Sequence, residues 1–214
     1  MSPADALLSG LSRGLATLAG VVNATRPLPA AADAPGDDPG EYELSPDERQ
    51  RSGALMRVNH VGEICAQALY EGQAASTPDA RLRDFFLAAA REESDHLAWT
   101  RQRLDELGAS PSLLNPLWYA GSLALGFAAG RAGDRVSLGF MAETERQVEH
   151  HLQSHLEQLP GRDRRSRAIV DAMKADEAAH AREASSRGGV DLPLPVRLMM
   201  KASARLMTTV AHRI

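Results

Sequence analysis

The chain has 214 residues, enough for one ordinary domain with room for extra segments. Apolar residues make up 43% but aromatics only 4%, a balance that favours an all-helical protein when Ala, Leu, Arg and Glu dominate. The formal net charge of −4 argues against nucleic acid as a partner, and the single cysteine, Cys65, excludes an internal disulfide and fits a reducing compartment.

The N-terminus lacks a basic start, a long apolar run and a cleavage site in secretory order, so no export signal is expected. Within residues 5–25, Leu7, Leu8, Leu11, Leu15, Leu18 and Val22 recur at roughly helical spacing. Residues 26–44, rich in Pro, Ala, Asp and Gly, read as a flexible linker, so residues 1–44 are expected as an arm and residues 45–214 as the folded domain. Ser45-Pro46-Asp47-Glu48 is a helix start, with Ser as the cap, Pro at the first helical position and acids in the first turn. That helix is expected to run to about Ala75, and a second from about Asp79 to Leu107, stopping at Gly108.

Leu113 to Gly130 is apolar and uncharged. Eighteen residues reach the lower edge of a membrane span, but Asn115, Pro116 and the glycines weaken that reading. A helix packed on the bundle or lying at a membrane surface is expected. A third long helix should open at Gly133-Asp134 and run to about Leu159. A fourth should run from about Arg162 to Ser186, and a last helix should follow Pro193 and Pro195 to Ile214. Residues 192–214 contain Arg197, Lys201, Arg205 and Arg213 and no acid. Arg197, Lys201 and Arg205 recur every four residues beside Leu194, Leu198, Met199, Leu206, Met207 and Val210, the pattern of a basic amphipathic helix at an anionic lipid surface. Docking on a partner subunit is the alternative.

Across the four long helices one pattern occurs twice. A lone Glu is followed about thirty residues later by Glu-x-x-His: Glu63, then Glu93 and His96; Glu145, then Glu177 and His180. With 14 Glu and 7 His in the chain, chance supplies about half of one Glu-x-x-His, and the two present match in order and spacing. Residues three apart share a helix face, and this set is the ligand set of a di-iron or di-manganese centre in a bundle core. Four buried carboxylates converging without Lys or Arg demand cations. Iron or manganese suits oxygen and imidazole donors, a thiolate site does not fit the cysteine count, and iron is the better match for O2 activation.

Glu92 and Asp176 each stand four residues before a ligand histidine and are candidates to hold its outer nitrogen, including across to the other half's histidine. The alternative is solvated helix acids. His60 is read either as a group hydrogen-bonded beside the site or as a surface histidine, and Tyr70 as a redox or hydrogen-bonding residue or as core packing. Glu149 is a spare ligand or a solvated acid. His150, His151 and His155 are expected on the surface, the alternative being that one of them lies near the site, and Cys65 is expected as a small buried hydrophobe.

The stretch from Arg57 through Asn59-His60-Val61-Gly62-Glu63 to Tyr70-Glu71-Gly72-Gln73 resembles the signature helix of the demethoxyubiquinone hydroxylases, the di-iron monooxygenases of ubiquinone biosynthesis. Glu93 with His96, Glu145 within Ala142-Glu143-Thr144-Glu145, and Glu177 with His180 match as well, so the resemblance covers residues 45 to 214. It implies a ferritin-like four-helix bundle with extra helices for peripheral membrane association, on the cytoplasmic face of a bacterial cell membrane. It further implies two Fe ions per chain, with Glu63 and His96 on one, Glu145 and His180 on the other, and Glu93 and Glu177 bridging. The implied reaction is O2-dependent hydroxylation at the demethoxy position of a polyprenyl benzoquinol. The partners expected are that quinol, O2, a lipid surface, an electron donor (NADH or a reductase) and other ubiquinone-biosynthesis proteins. Nothing in the sequence identifies the reductant's docking site. The rival readings are a di-iron quinol oxidase and a ferritin-type iron-storage protein.

Overall fold

The computed structural model describes residues 12, 14–30 and 43–214, and the described residues contain no strand. Six helices follow the short N-terminal helical stretch at 14–18: α1 Pro46–Ser76, α2 Ala80–Leu107, α3 Asn115–Arg131, α4 Asp134–Gln158, α5 Arg164–Ser186 and α6 Leu194–Ala211. The ends follow local chemistry. Ser45 and Glu48 form a reciprocal capping box ahead of α1, with Glu48 accepting from the Ser45 N–H at 2.9 Å. Asp79 caps α2 by accepting from the N–H groups of Arg81 and Leu82, and Gly108 ends it in the left-handed region at φ 66°. The α5 start lies two residues later than expected because Asp163, not a residue before Arg162, accepts from the Ser166 N–H as its cap.

The bundle consists of α1, α2, α4 and α5, and two apolar clusters run through it. One contains Tyr70 of α1, Phe86 of α2, Met141 of α4 and Ala184 of α5. The other contains Met56 of α1, Leu104 of α2, Leu152 of α4 and Met173 of α5. Along α1 and α5 the chain passes from the second cluster to the first; along α2 and α4 it passes the other way. The helices of each hairpin, α1–α2 and α4–α5, are therefore antiparallel, as their short connections require. In every one of the four helices, the proposed ligands fall between the two clusters.

The apolar segment at 113–130 is α3, packed along α1 rather than extended away from the bundle. Glycines set the closeness of that contact: a Cβ on Gly126 would lie 2.0 Å from the Leu69 carbonyl oxygen, and one on Gly72 2.3 Å from that of Leu123. The opposite face of α3 leaves Leu117, Leu125 and Phe127 exposed, as is Leu113 just before the helix. No helix among the described residues is long and apolar enough to cross a membrane. Helix α6 touches the body mainly by its C-terminal end, where Met207 and Ala211 meet Val58 and Val61, while Leu194, Leu198, Met199 and Leu206 remain exposed. Arg197 is not a free member of the cationic stripe, since its Nε lies 3.2 Å from the Glu143 carboxylate of α4. Lys201 and Arg205 are exposed.

The expected helical reading of residues 5–25 lies partly outside the described residues, as does most of the linker. What is described departs from a loose tether. Leu18 and Val22 pack against Ile64, Leu97 and Tyr119, Thr17 donates to Gln67 at 2.6 Å, and residues 25 and 26 bond to the bundle.

Candidate metal centre

Each helix of the bundle delivers its ligand candidates from mid-length, where flanking turns are locked by the apolar clusters. Glu63 comes from α1, Glu93 and His96 from α2, Glu145 from α4, and Glu177 and His180 from α5. All four carboxylates are at most 2% exposed. They gather in two overlapping groups, Glu63, Glu93, His96 and Glu177, and Glu93, Glu145, Glu177 and His180. Within each group one donor atom from every residue lies within 4.8 Å of the others. Glu93 and Glu177 belong to both.

The imidazoles are oriented alike. His96 Nδ1 faces inward, 3.3 Å from Glu63, 3.1 Å from Glu93 and 3.2 Å from Glu177. His180 Nδ1 lies 3.3 Å from Glu177, 3.7 Å from Glu93 and 3.8 Å from Glu145. The outer nitrogens go to acids of the opposite hairpin: His96 Nε2 meets Asp176 at 2.9 Å, and His180 Nε2 meets Glu92 at 2.8 Å. Glu92 and Asp176 thus sit where a metal-bound imidazole is normally held from behind.

Electrostatically the cluster is unfinished by its own side chains. Both Glu145 oxygens and Glu93 Oε1 lack a hydrogen-bond partner among the described residues. Burial pushes the Glu63 carboxyl well above the usual carboxylate range despite His96, and burial together with the Glu177 charge does the same at Glu145. Burial opposes a charge on His180, but its bonds to Glu177 and Glu92 hold its pKa up at about 12. Asp176 is partly desolvated, yet the bonds from His96 and Arg26 bring it down to about 2. No Lys or Arg among the described residues pairs with the four inner carboxylates, so cations are the partners that fit. The donor set, carboxylate oxygen plus two imidazole nitrogens with no thiolate, suits a pair of iron or manganese ions.

The other candidates are placed differently. His60 is buried on the far side of Thr100, to which its Nδ1 bonds at 3.0 Å, and burial pushes it down to about 4; it joins neither group. Tyr70 is fully buried among Phe86 and Met141, with a hydroxyl that has no partner among the described residues. The expectation of surface histidines fails at His155, which is buried, bonded to Asn59 at 2.7 Å and set against His151 with ring centres 4.0 Å apart and the rings tilted by 58°. Glu149 and His150 join neither group. Cys65 is only half-buried, against α3 and α6.

Sequence reasoning missed one participant. Asp95 accepts from the Thr25 N–H at 2.5 Å and from Arg26 Nε at 2.8 Å, and Arg26 Nη2 donates to Asp176 at 2.8 Å. The available signal was that Arg26 is the sole basic residue between Gly14 and Arg49, inside a segment dismissed as linker.

The sequence profile described as "Ubiquinone biosynthesis protein COQ7" matches residues 50–211. A protein of Polaromonas named 3-demethoxyubiquinol 3-hydroxylase is 61% identical over 99% of both chains. Proteins of the same name from Variovorax paradoxus and Burkholderia cenocepacia are 58% identical (100% of this chain, 99% of the relative) and 56% identical (97% and 98%). With a match this long and a bundle that gathers the two Glu-x-x-His motifs, the chain belongs to the COQ7 family of ubiquinone biosynthesis proteins.

Proposed function

We propose that this chain is a di-iron monooxygenase that hydroxylates the ring of a demethoxyubiquinol with O2. The observation that carries the reading is the sharing of Glu93 and Glu177 by both donor groups, which is what two bridging carboxylates between paired ions require. The name carried by the relatives gives the substrate class. In this reading Glu63 and His96 hold one iron, Glu145 and His180 the other, and Asp176 and Glu92 fix the imidazoles from outside. The apolar clusters on either side keep bulk water from the centre. When bound, the ferrous pair supplies the electrons and the Lewis acidity for O2 reduction. One oxygen atom replaces a ring hydrogen as hydroxyl, and the other leaves as water. The two electrons and two protons this needs come from a reduced nicotinamide or a reductase.

The same reading makes residues 45–214 the working domain, with 1–44 as its arm, and puts the protein on the cytoplasmic face of the membrane. There α6, through Lys201, Arg205 and the exposed leucines, meets anionic lipid, since a polyprenyl tail dissolves only in a bilayer. Other ubiquinone-biosynthesis proteins are candidate neighbours for the exposed face of α3.

The test is a turnover of the Fe(II)-loaded protein with demethoxyubiquinol and NADH under labelled O2. Label in a ring hydroxyl is expected. Label in water alone would instead support a quinol oxidase, and accumulation of ferric mineral would support storage.

A further inference from the structure

We propose that Arg26, carried by the N-terminal arm, is a positioning residue for the His96 half of the metal centre, and that the arm is thereby part of the site. The inference rests on the metal-centre reading above. Arg26 stands at a junction of three groups. Its Nε meets Asp95 at 2.8 Å, its Nη2 meets Asp176 at 2.8 Å, and the same Nη2 lies 3.4 Å from His96 Nε2. The guanidinium lies over the Trp99 ring, 4.8 Å from its centre, while the Trp99 N–H donates to the Arg26 carbonyl at 3.4 Å. Trp99 in turn lies against His96, with ring centres 5.4 Å apart.

Asp95 anchors this arrangement. It is 2% exposed, and all five of its hydrogen bonds among the described residues come from Thr25 and Arg26. A buried carboxylate adjacent in sequence to His96 is thus occupied by holding the arm. The arm's arginine then holds Asp176, the acid behind His96. A guanidinium suits this task because its planar fork meets two carboxylates in fixed directions, which an ammonium on a flexible stem does not.

The two halves of the centre differ at this point. Glu92, the acid behind His180, is 57% exposed and receives no hydrogen bond from a cation other than His180 among the described residues. Asp176 is 29% exposed and held from two directions. His96 is therefore held through a three-residue brace and His180 by a single, largely exposed acid.

The experiment titrates the metal-free full-length protein anaerobically with Co(II), against a chelator, and follows the visible ligand-field bands and their stoichiometry. Wild type should take up two ions. Arg26→Met should weaken one site by about tenfold, at the lower end for outer-sphere partners, and leave the other within twofold. Arg26→Lys should recover part of that loss. In a His180→Ala background the Arg26→Met effect should persist, and in a His96→Ala background it should vanish. Equal weakening of both sites, no weakening of either, or a lysine variant no better than methionine would overturn the assignment. If Arg26→Met fails to fold, as judged by its thermal transition, Thr25→Val removes one anchoring hydroxyl and should give a smaller loss with the same selectivity; an unselective loss overturns the proposal. A wild type that binds no Co(II) refutes the metal centre itself. A wild type that binds two ions, with Arg26→Met unchanged, refutes only the role of Arg26.

Discussion

Replacing Glu145 by methionine should have opposite effects on the metal-free and the iron-loaded protein. Glu145 is fully buried, one turn from Met141, and neither carboxylate oxygen has a hydrogen-bond partner among the described residues. A buried polar group without partners costs about 1–3 kcal/mol, and methionine fills a similar volume with none to satisfy. In the metal-free state Glu145→Met should therefore raise stability by about 1–3 kcal/mol, which for a chain of this size is roughly 2–12 °C in Tm. In the loaded state the same change deletes a ligand. If affinity falls 10⁴-fold at saturating iron, the binding contribution falls by about 5.5 kcal/mol, so after the gain above the loaded protein is still less stable by about 2.5–4.5 kcal/mol. Scanning calorimetry on both forms, under anaerobic conditions, reads the two signs directly. A variant less stable than wild type in the metal-free state would refute the reasoning, because it would show that Glu145 is a satisfied structural acid.

Glu93→Ala and Glu177→Ala should each abolish both ions in an iron assay after Fe(II) loading, whereas Glu63→Ala should retain about one, because only the first two belong to both donor groups. Burial depresses His60 to about 4 and His155 to about 3 from a usual value near 6.5, so the neutral rings stabilise the fold above pH 6.5 and that stability is lost as pH falls towards those values. At pH 5 each accounts for up to about 2 kcal/mol, and urea midpoints of His60→Gln or His155→Gln should show a correspondingly shallower loss between pH 7 and pH 5. Neutralising Lys201 and Arg205 to Gln should weaken binding to anionic vesicles by about 2 kcal/mol, about 30-fold, in a sedimentation assay. Gly126→Ala should destabilise by about 1–3 kcal/mol or more because its Cβ meets the Leu69 carbonyl, whereas Gly121→Ala, with open space around it, should be neutral or stabilising on denaturation.

The candidate ligand set was readable in advance because its information is local. Glu-x-x-His needs only a helix to put both side chains on one face, and the repeated spacing of about thirty residues only needs two hairpins of similar length. Helix starts at Ser45 and Asp79 were readable for the same reason, since a capping side chain bonds to N–H groups two or three residues away. The crossing of Glu92 and Asp176 could be named only as an option, because it depends on how α2 and α5 face one another. His155 was misplaced because His150, His151 and His155 look like one polar run; its partner, Asn59, lies 96 residues away on another helix. Arg26 was invisible because a Pro- and Ala-rich stretch gives no periodic signal, and what orders it is a carboxylate seventy residues on.

The crossed acids also bear on how the protein comes into being. A hairpin of α1 and α2 alone would carry Glu63, Glu93 and His96, yet the acid behind His96 would be missing, and the α4–α5 hairpin would lack the acid behind His180 in the same way. Closure of one hairpin on the other is the event that brings each candidate donor group together, since each group draws residues from both hairpins. On the proposed assignment, both donor groups are complete only once the last long bundle helix, α5, has docked.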